Sequence, residues 1–358
     1  MKIAIFTFVG SRNFGSRLQA FALWRIMSNQ GNKVDQIRVI NRNALDRIQS
    51  GCAAFWRGKI PSLFHRDVRR AKRDFAAAAS TRIDYDVADV ASDGFPDSIV
   101  PVGRGELKKL ERVYDAFVCG SDQVWSPLVL PLKKYFYLTF AKRKPKTAYA
   151  ASFGVSELPR FNRRQFRYIS RLDRISVREE TGRAIIKREL GRDVPVAVDP
   201  VFLLPRETWG EIVGAPPAGE YAFLFFLNRN DGVVSRVEEA MRERGVPVVT
   251  MEGERAPEEF VRRISGAKYV FTDSFHALAF SLIFRRDFYC FRRNLPSGIQ
   301  QESRIVDLLA DLSIEGRYFA GADGFVFPSE PIDYDRAEAI LNEKIEVSKQ
   351  FLNESLTE

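Results

Sequence analysis

Lys2-Ile3-Ala4-Ile5-Phe6-Thr7-Phe8 is a short β-branched and aromatic run that stops before Gly10. A run of this length and composition, apolar on both faces, reads as a buried strand of a parallel sheet. After a loop over 10–15, Leu18, Phe21, Ala22, Arg25 and Ile26 recur at helical spacing through residues 16–29, and Gly31 stops the helix. Residues 33–40 form the next strand. The chain therefore opens as a β-loop-α-β unit, which predicts an α/β fold with parallel strands.

The same alternation continues. Strand signals fall at 116–119, 147–153, 175–177 and 194–198, with helical stretches at 105–114, 160–171 and 180–190. Gly214-Ala215-Pro216-Pro217-Ala218-Gly219 breaks the rhythm. A second series follows, with strands at 221–227, 246–250, 269–272 and 288–291. Its helices fall at 233–244, 257–265, 276–284 and 303–312, and an amphipathic stretch over 333–352 closes the chain. The expected architecture is two Rossmann-like lobes, residues 1–206 and 220–358, joined by a linker over 207–219. Within the first lobe, 42–105 departs from the alternation and reads as a basic helical insertion. Ligands of open α/β sheets sit at the carboxyl ends of strands, so site residues are expected just after Phe8, Cys119, Phe153, Val177 and Thr272.

Composition narrows the function. Fifty-five Lys and Arg against forty-six Asp and Glu give a net charge of +9, which favours anionic partners. Three scattered cysteines and two histidines supply neither a zinc-ligand spacing nor a disulfide framework, and suit a reducing cytoplasm. No apolar run approaches the roughly 18 residues of a membrane-spanning helix, and no signal-peptide cleavage pattern follows the first strand. A soluble or peripheral protein is expected, without a metal cofactor. Nucleic-acid binding is not expected, since RNP, zinc-finger and helix-turn-helix signatures are all missing. Residues 57–73 hold seven Lys or Arg against Asp67 alone, interleaved with Phe64, Val68 and Ala71. They read either as an amphipathic basic helix for an anionic membrane surface or polyanionic carrier, or as a solvated face.

Four stretches carry chemistry. The loop from Gly10 to Arg17 lacks the Lys-Ser/Thr pair of a nucleotide-phosphate loop, but Asn13 and Gln19 offer hydrogen bonds to an acceptor at a helix N-terminus. Gly120-Ser121-Asp122-Gln123-Val124-Trp125 combines hydroxyl, carboxylate, amide and indole, the mixture that suits a sugar; core burial of Trp125 is the alternative. Arg178 sits at a strand end, suited to a carboxylate or phosphate or to a surface pair with Glu179 or Glu180. The clearest signal is Val270-Phe271-Thr272-Asp273-Ser274-Phe275-His276-Ala277, where a strand runs into a helix that Asp273 or Ser274 can cap. His276 falls in its first turn, beside an anion-binding helix end.

Together these stretches resemble the polysaccharide pyruvyl transferase family. The resemblance runs in order through Gly15 with Leu18-Gln19 and Ala22-Leu23, then Asp115 and Gly120 to Trp125, then Ala150-Ala151-Ser152-Phe153-Gly154. It continues through Ile175 to Glu179, Val198-Asp199-Pro200-Val201-Phe202-Leu203, Pro257 to Phe260 with Ile264, Ala267 to His276, and Ser303-Arg304-Ile305 with Leu308-Leu309. Ala277 stands where the family usually has Gly.

The resemblance implies a two-lobed fold like that of GT-B glycosyltransferases, with the acceptor on the first lobe and the donor on the second. It implies transfer of a pyruvyl group from phosphoenolpyruvate to two hydroxyls of a sugar, in a polysaccharide or its lipid-linked precursor, closing a cyclic ketal. His276 is then the essential histidine and Arg178 the donor-binding arginine; Ser274, Ala277 and Arg304 are further donor-side candidates. Asp122 and Asp273 are candidate bases, and Asn13, Gln19, Ser121 and Trp125 face the acceptor. The rival readings are a nucleotide-sugar glycosyltransferase of the same architecture and a non-catalytic module for polyanions or membrane.

Overall fold

The computed structural model of the protein describes residues 1–9, 13–40, 98–127, 129, 133–251, 256–293 and 302–356. In the first lobe these are β1 (Lys2–Phe6), α1 (Phe14–Asn29), β2 (Lys33–Ile40), β3 (Ile99–Gly103), β4 (Ala116–Cys119), β5 (Lys146–Ala151), β6 (Arg174–Val177) and α2 (Glu180–Leu190). The strands pair in parallel in the order β3-β2-β1-β4-β5-β6. α3 (Arg206–Val213) leads into the second lobe. There, β7 (Ala222–Phe225), α4 (Asp231–Glu243), β8 (Val248–Val249), α5 (Pro257–Gly266), β9 (Tyr269–Thr272), α6 (Phe275–Ile283), β10 (Asp287–Phe291), α7 (Ser303–Asp311) and β11 (Tyr318–Phe319) follow. Their parallel order is β11-β10-β9-β7-β8. α8 (Tyr334–Leu356) ends the chain.

The two sheets are a Rossmann-type and a flavodoxin-type doubly wound sheet, as the alternation predicts. Each reverses its strand order once, between β1 and β4 in the first lobe and between β7 and β9 in the second. Ligand crevices form at such switch points. The chain leaves β4 directly into Gly120-Ser121-Asp122 and leaves β9 directly into Asp273-Ser274-Phe275-His276, so the topology alone sets the two strongest motifs at the two switch points.

Several local readings change. Residues 194–198 make one bridge, Val177 to Val196, in place of a strand, because Pro195 has no N–H to give a ladder. The stretch 105–114 winds as a 3₁₀ helix, Arg104–Arg112, and 160–171 begins as another, Arg160–Gln165. β3 lies inside the stretch read as an insertion; Pro101 obscures it, and Pro is tolerated there because β3 is the sheet edge. α3 occupies much of the stretch read as linker. The basic stretch 57–73 lies outside the described residues. No helix among the described residues is long and apolar enough to cross a membrane.

One hydrophobic core is shared by both lobes. Leu18, Phe21 and Leu23 of α1, Trp209 of α3, Phe260 and Ile264 of α5, Phe280 of α6 and Leu352 of α8 belong to it. Phe14 stacks on Phe260 with ring centroids 5.5 Å apart, a direct apolar contact between lobes. α8 spans the junction. Its Glu338 pairs with Arg285 of the second lobe, and its Ser348 hydroxyl accepts the Val198 N–H of the first.

Candidate active site

The carboxyl ends of β1, β4, β6 and β9 converge on a buried ionic cluster. Asp122 follows β4 with φ 63°, a left-handed conformation that Asp tolerates better than most residues. Its Oδ2 accepts the Ser16 hydroxyl at 2.7 Å, and Ser16 is placed by α1, whose first turn Asn13 caps by accepting the Ser16 N–H at 3.4 Å. Its Oδ1 lies 3.2 Å from Arg178 Nη2 and 3.8 Å from Arg304 Nη1. Arg178 leaves β6, and its other terminal nitrogen donates to Asp199 Oδ2.

Asp199 is fixed from three sides. Pro200 follows it, its Oδ1 accepts the Val201 N–H at 3.2 Å, and the preceding Val198 bonds Tyr149 and Ser348. Its Oδ2 faces His276 Nε2 at 3.5 Å, across the junction of the lobes. His276 stands in the first turn of α6, whose Ser274 cap has a side-chain oxygen 3.5 Å from the Ala277 N–H. The Phe275 ring lies beneath both guanidiniums, 4.7 Å from that of Arg178 and 5.5 Å from that of Arg304.

This closed set of two carboxylates, two guanidiniums and one imidazole draws on both lobes and is almost wholly enclosed: His276 is 5% exposed and Arg304 6%. Three of its polar atoms have no hydrogen-bond partner: Arg178 Nε, Arg304 Nε and His276 Nε2. Buried polar atoms are seldom left so, and three of them fall within this one cluster.

The polysaccharide pyruvyl transferase family model matches residues 13–294, which includes every member of the cluster except Arg304. The chain belongs to that family. No curated protein is significantly similar to it in sequence. Among solved structures, a putative UDP-N-acetylglucosamine 2-epimerase from Listeria monocytogenes superposes with a TM-score of 0.50 at 10% identity, covering 98% of this chain and 90% of that one. A UDP-GlcNAc 2-epimerase from Neisseria meningitidis gives 0.48 at 10% identity, covering 100% and 95%. The glycotransferase of kitacinnamycin gives 0.49 at 11% identity, covering 99% and 97%. The first of these likenesses concerns the fold alone, a two-lobed α/β architecture of the GT-B kind.

For this pyruvyl transferase family member, electrostatics separates the charged groups. Burial pushes the Asp122 carboxyl up, but Arg178, His276, Arg304 and the Ser16 hydroxyl outweigh it and hold it well below the usual carboxylate range. Asp199 is likewise lowered against burial by His276 and Arg178. Arg178 rises despite burial, because Asp199, Asp122 and Glu179 surround it. Arg304 alone goes the other way. Burial and the like charge of Arg178 push it down to about 9 against the partial support of Asp122.

The remaining sequence candidates fall around this cluster rather than in it. Trp125 does not face an acceptor: it is fully buried, its indole N–H donates to the Phe136 carbonyl at 3.3 Å, and its ring stacks on Tyr137. Packing in the core accounts for it. Ser121 is also fully buried and donates to the Ala150 carbonyl, and the Gln19 amide donates to the Thr7 hydroxyl and the Ser16 carbonyl. Asp273 accepts the Leu227 and Asn228 N–H groups at 2.6 and 3.0 Å and pairs with Arg293, so it ties the loop after β7.

Three contributors went unrecognised. Asp199 reads in sequence as a strand boundary set by its proline. Glu179 accepts the Ser152 hydroxyl and the Phe153 and Gly154 N–H groups through one oxygen, holding the loop after β5. Ser16 reads as an ordinary helix residue. The available signal was position: a carboxylate at a strand end, as with Asp122. Among the described residues, no group of three His, Cys, Asp or Glu side chains gathers as a metal site.

Proposed function

We propose that the protein moves a pyruvyl group from phosphoenolpyruvate to two hydroxyls of a sugar, part of a polysaccharide or its lipid-linked precursor, and closes a cyclic ketal. It would act in the cytoplasm, without a metal, at or near the inner face of the membrane. Family membership supports the reaction class. The observation that carries the donor is Arg304: a buried guanidinium whose carboxylate neighbour stands 3.8 Å away and is already engaged by Arg178 and Ser16. A charge so placed is under-compensated, and a ligand bearing a carboxylate and a phosphate supplies the missing anion.

In this reading Arg178, Arg304 and the free amides of the first turn of α6 hold the two acidic groups of the donor. Ser274 orders that turn, and Ala277 completes it. His276 protonates C3 of the enol, leaving an oxocarbenium-like centre at C2. One sugar hydroxyl adds there, phosphate departs, and the second hydroxyl closes the ring. Of the two hydroxyl protons, one restores His276 and the other leaves with phosphate. Asp122 is the carboxylate on the acceptor side that faces both donor-binding guanidiniums. While paired with two guanidiniums it is a poor base; a donor that draws those charges away returns proton affinity to it.

The test is an incubation of the protein with candidate sugar acceptors and either phosphoenolpyruvate or nucleotide sugars. Phosphate release with an acceptor mass gain of one pyruvyl ketal is the expected result. Nucleotide release with transfer of a sugar would overturn the reading in favour of a glycosyltransferase.

A further inference from the structure

α2 begins without a cap from its own N-cap side chain. That residue, Glu179, is extended at φ −135° and ψ 150°, and its bonded carboxyl oxygen is turned to the Ser152 hydroxyl and the Phe153 and Gly154 N–H groups. The first amides of a helix have no partner within it. Here the partner comes from the other lobe: Asp307 of α7 accepts the Thr181 N–H through Oδ2 at 3.0 Å. Burial pushes the Asp307 carboxyl up, and the Thr181 and Glu180 amides pull against that rise. A carboxylate at a helix N-terminus gains both a hydrogen bond and the favourable end of the dipole.

Arg304 and Asp307 are three residues apart on α7, so they are neighbours on its surface and reach the first lobe together. Arg304 extends to Asp122 at 3.8 Å and Asp307 to the start of α2, which follows directly on Arg178 and Glu179. The two guanidiniums repel. After burial, the like charge of Arg178 is what pushes Arg304 down, and Asp122 offsets it in part. That repulsion acts to move the first turn of α7 away from the end of β6. The last turn of α7 is tied elsewhere, through Asp311 to Lys344 of α8 at 2.7 Å. We infer that Asp307 is a positioning residue: by capping α2 across the junction of the lobes, it holds the first turn of α7 so that Arg304 stays beside Arg178.

This inference rests on the pyruvyl-transfer reading for what Arg304 holds, and kinetics with phosphoenolpyruvate gives the first readout. Asp307→Ala in the full-length protein keeps a good helix former at that position. It should raise the KM for phosphoenolpyruvate about fivefold or more, the size of a lost helix cap, and change kcat by less than about twofold. Asp307→Asn, which can still accept the amide, should return the KM to within about twofold of wild type. In an Arg304→Met background, Asp307→Ala should add less than about twofold to the KM, because the residue through which it acts is gone. A lower Tm with an unchanged KM, or an undiminished effect in the Arg304→Met background, overturns the inference.

The coupling of Asp307 to Arg304 is also testable without any donor. The change in Tm that Arg304→Met produces in the ligand-free protein should shrink by about half or more when residue 307 is alanine, since an untied α7 already lets the guanidinium leave the cluster. Equal changes in both backgrounds, no change included, overturn the inference. A wild-type protein inert toward phosphoenolpyruvate would sink the function proposed above and leave these four melting temperatures to decide. Should Asp307→Ala fail to fold, Thr181→Pro replaces it in each comparison: it removes the same N–H, and the first turn of a helix tolerates proline.

Discussion

Gly15 of the first lobe lies against the His276 ring of the second so closely that a β-carbon there would come within 2.0 Å of Nδ1 and 2.3 Å of Cγ. Gly15 is the second residue of α1, where alanine would ordinarily add up to about 1 kcal/mol of helix stability. Contact with an enclosed ring decides the sign instead. Gly15→Ala should lower the Tm and cut kcat at least 10²-fold. That matches the lower end of what His276→Ala should cost, since a general acid contributes about 10²–10⁴-fold. Thermal denaturation and steady-state kinetics check both halves. A stabilised and fully active variant would mean that the ring does not work from this position.

Arg304 gives a prediction of opposite sign. Its folded-state value, about 9, lies well below the usual guanidinium range, so its charge costs stability in the ligand-free protein at neutral pH. The protein should gain stability as pH rises above about 9, where the unfolded chain still holds the proton and the folded one releases it. Arg304→Met should raise the Tm of the ligand-free protein at pH 7 and raise the KM for phosphoenolpyruvate at least tenfold. A functional residue carried at a cost to stability behaves in this way. A variant with a lower Tm and an unchanged KM would make Arg304 a structural cation.

The acidic limb of stability should belong to the paired carboxylates. Asp122 and Asp199 are held below the ordinary carboxylate range, so the stability they contribute is present above about pH 4 and is lost as pH falls through their folded-state values. Glu179, raised by burial in spite of Arg178, works against this loss because the folded state takes up its proton early. Asp122→Asn should therefore be less stable at pH 7 yet lose stability less steeply below pH 4. Urea unfolding between pH 7 and 3 reads the slope; identical slopes would assign the acid sensitivity elsewhere.

Much of this was legible before the structure. β4 and β9 were apparent from short apolar runs ending in polar clusters, and the strand order of each sheet then sets Asp122 and His276 each at the switch point of its own lobe. Asp199 was hidden because Pro200 offers a sufficient local reason for its neighbour, and its partners lie far away in sequence: Arg178 21 residues off and His276 in the other lobe. Trp125 misled for a related reason. An indole next to a hydroxyl and a carboxylate suits a sugar, and only the arrangement of Tyr137 and Phe153 around it shows that the ring belongs to the core.

Trp125 supplies a further prediction. A ring used for acceptor stacking would, on truncation, change KM and leave stability alone. A ring buried against Tyr137 and Phe153, with its N–H bonded, should cost about 3–5 kcal/mol as Trp125→Ala. Denaturant unfolding measures this directly, and a loss below about 1 kcal/mol would return the indole to a surface role.

The last prediction concerns how an enclosed cluster admits its donor. The lobes are tied near the site by His276 to Asp199, Arg304 to Asp122, and the Thr181 N–H donated to Asp307 at 3.0 Å. A donor entering here displaces carboxylates from guanidiniums, so it competes with these ties and then replaces them with its own charge. The bound form should be the more stable. A ligand present at 100 times its Kd adds about 2.7 kcal/mol if it binds only the folded state. Phosphoenolpyruvate should therefore raise the Tm of the wild type by several degrees and leave that of Arg304→Met nearly unchanged. Phosphate alone should give a smaller rise in the wild type, because it satisfies one anion position of two. Equal shifts in both proteins would place the bound anion outside the cluster.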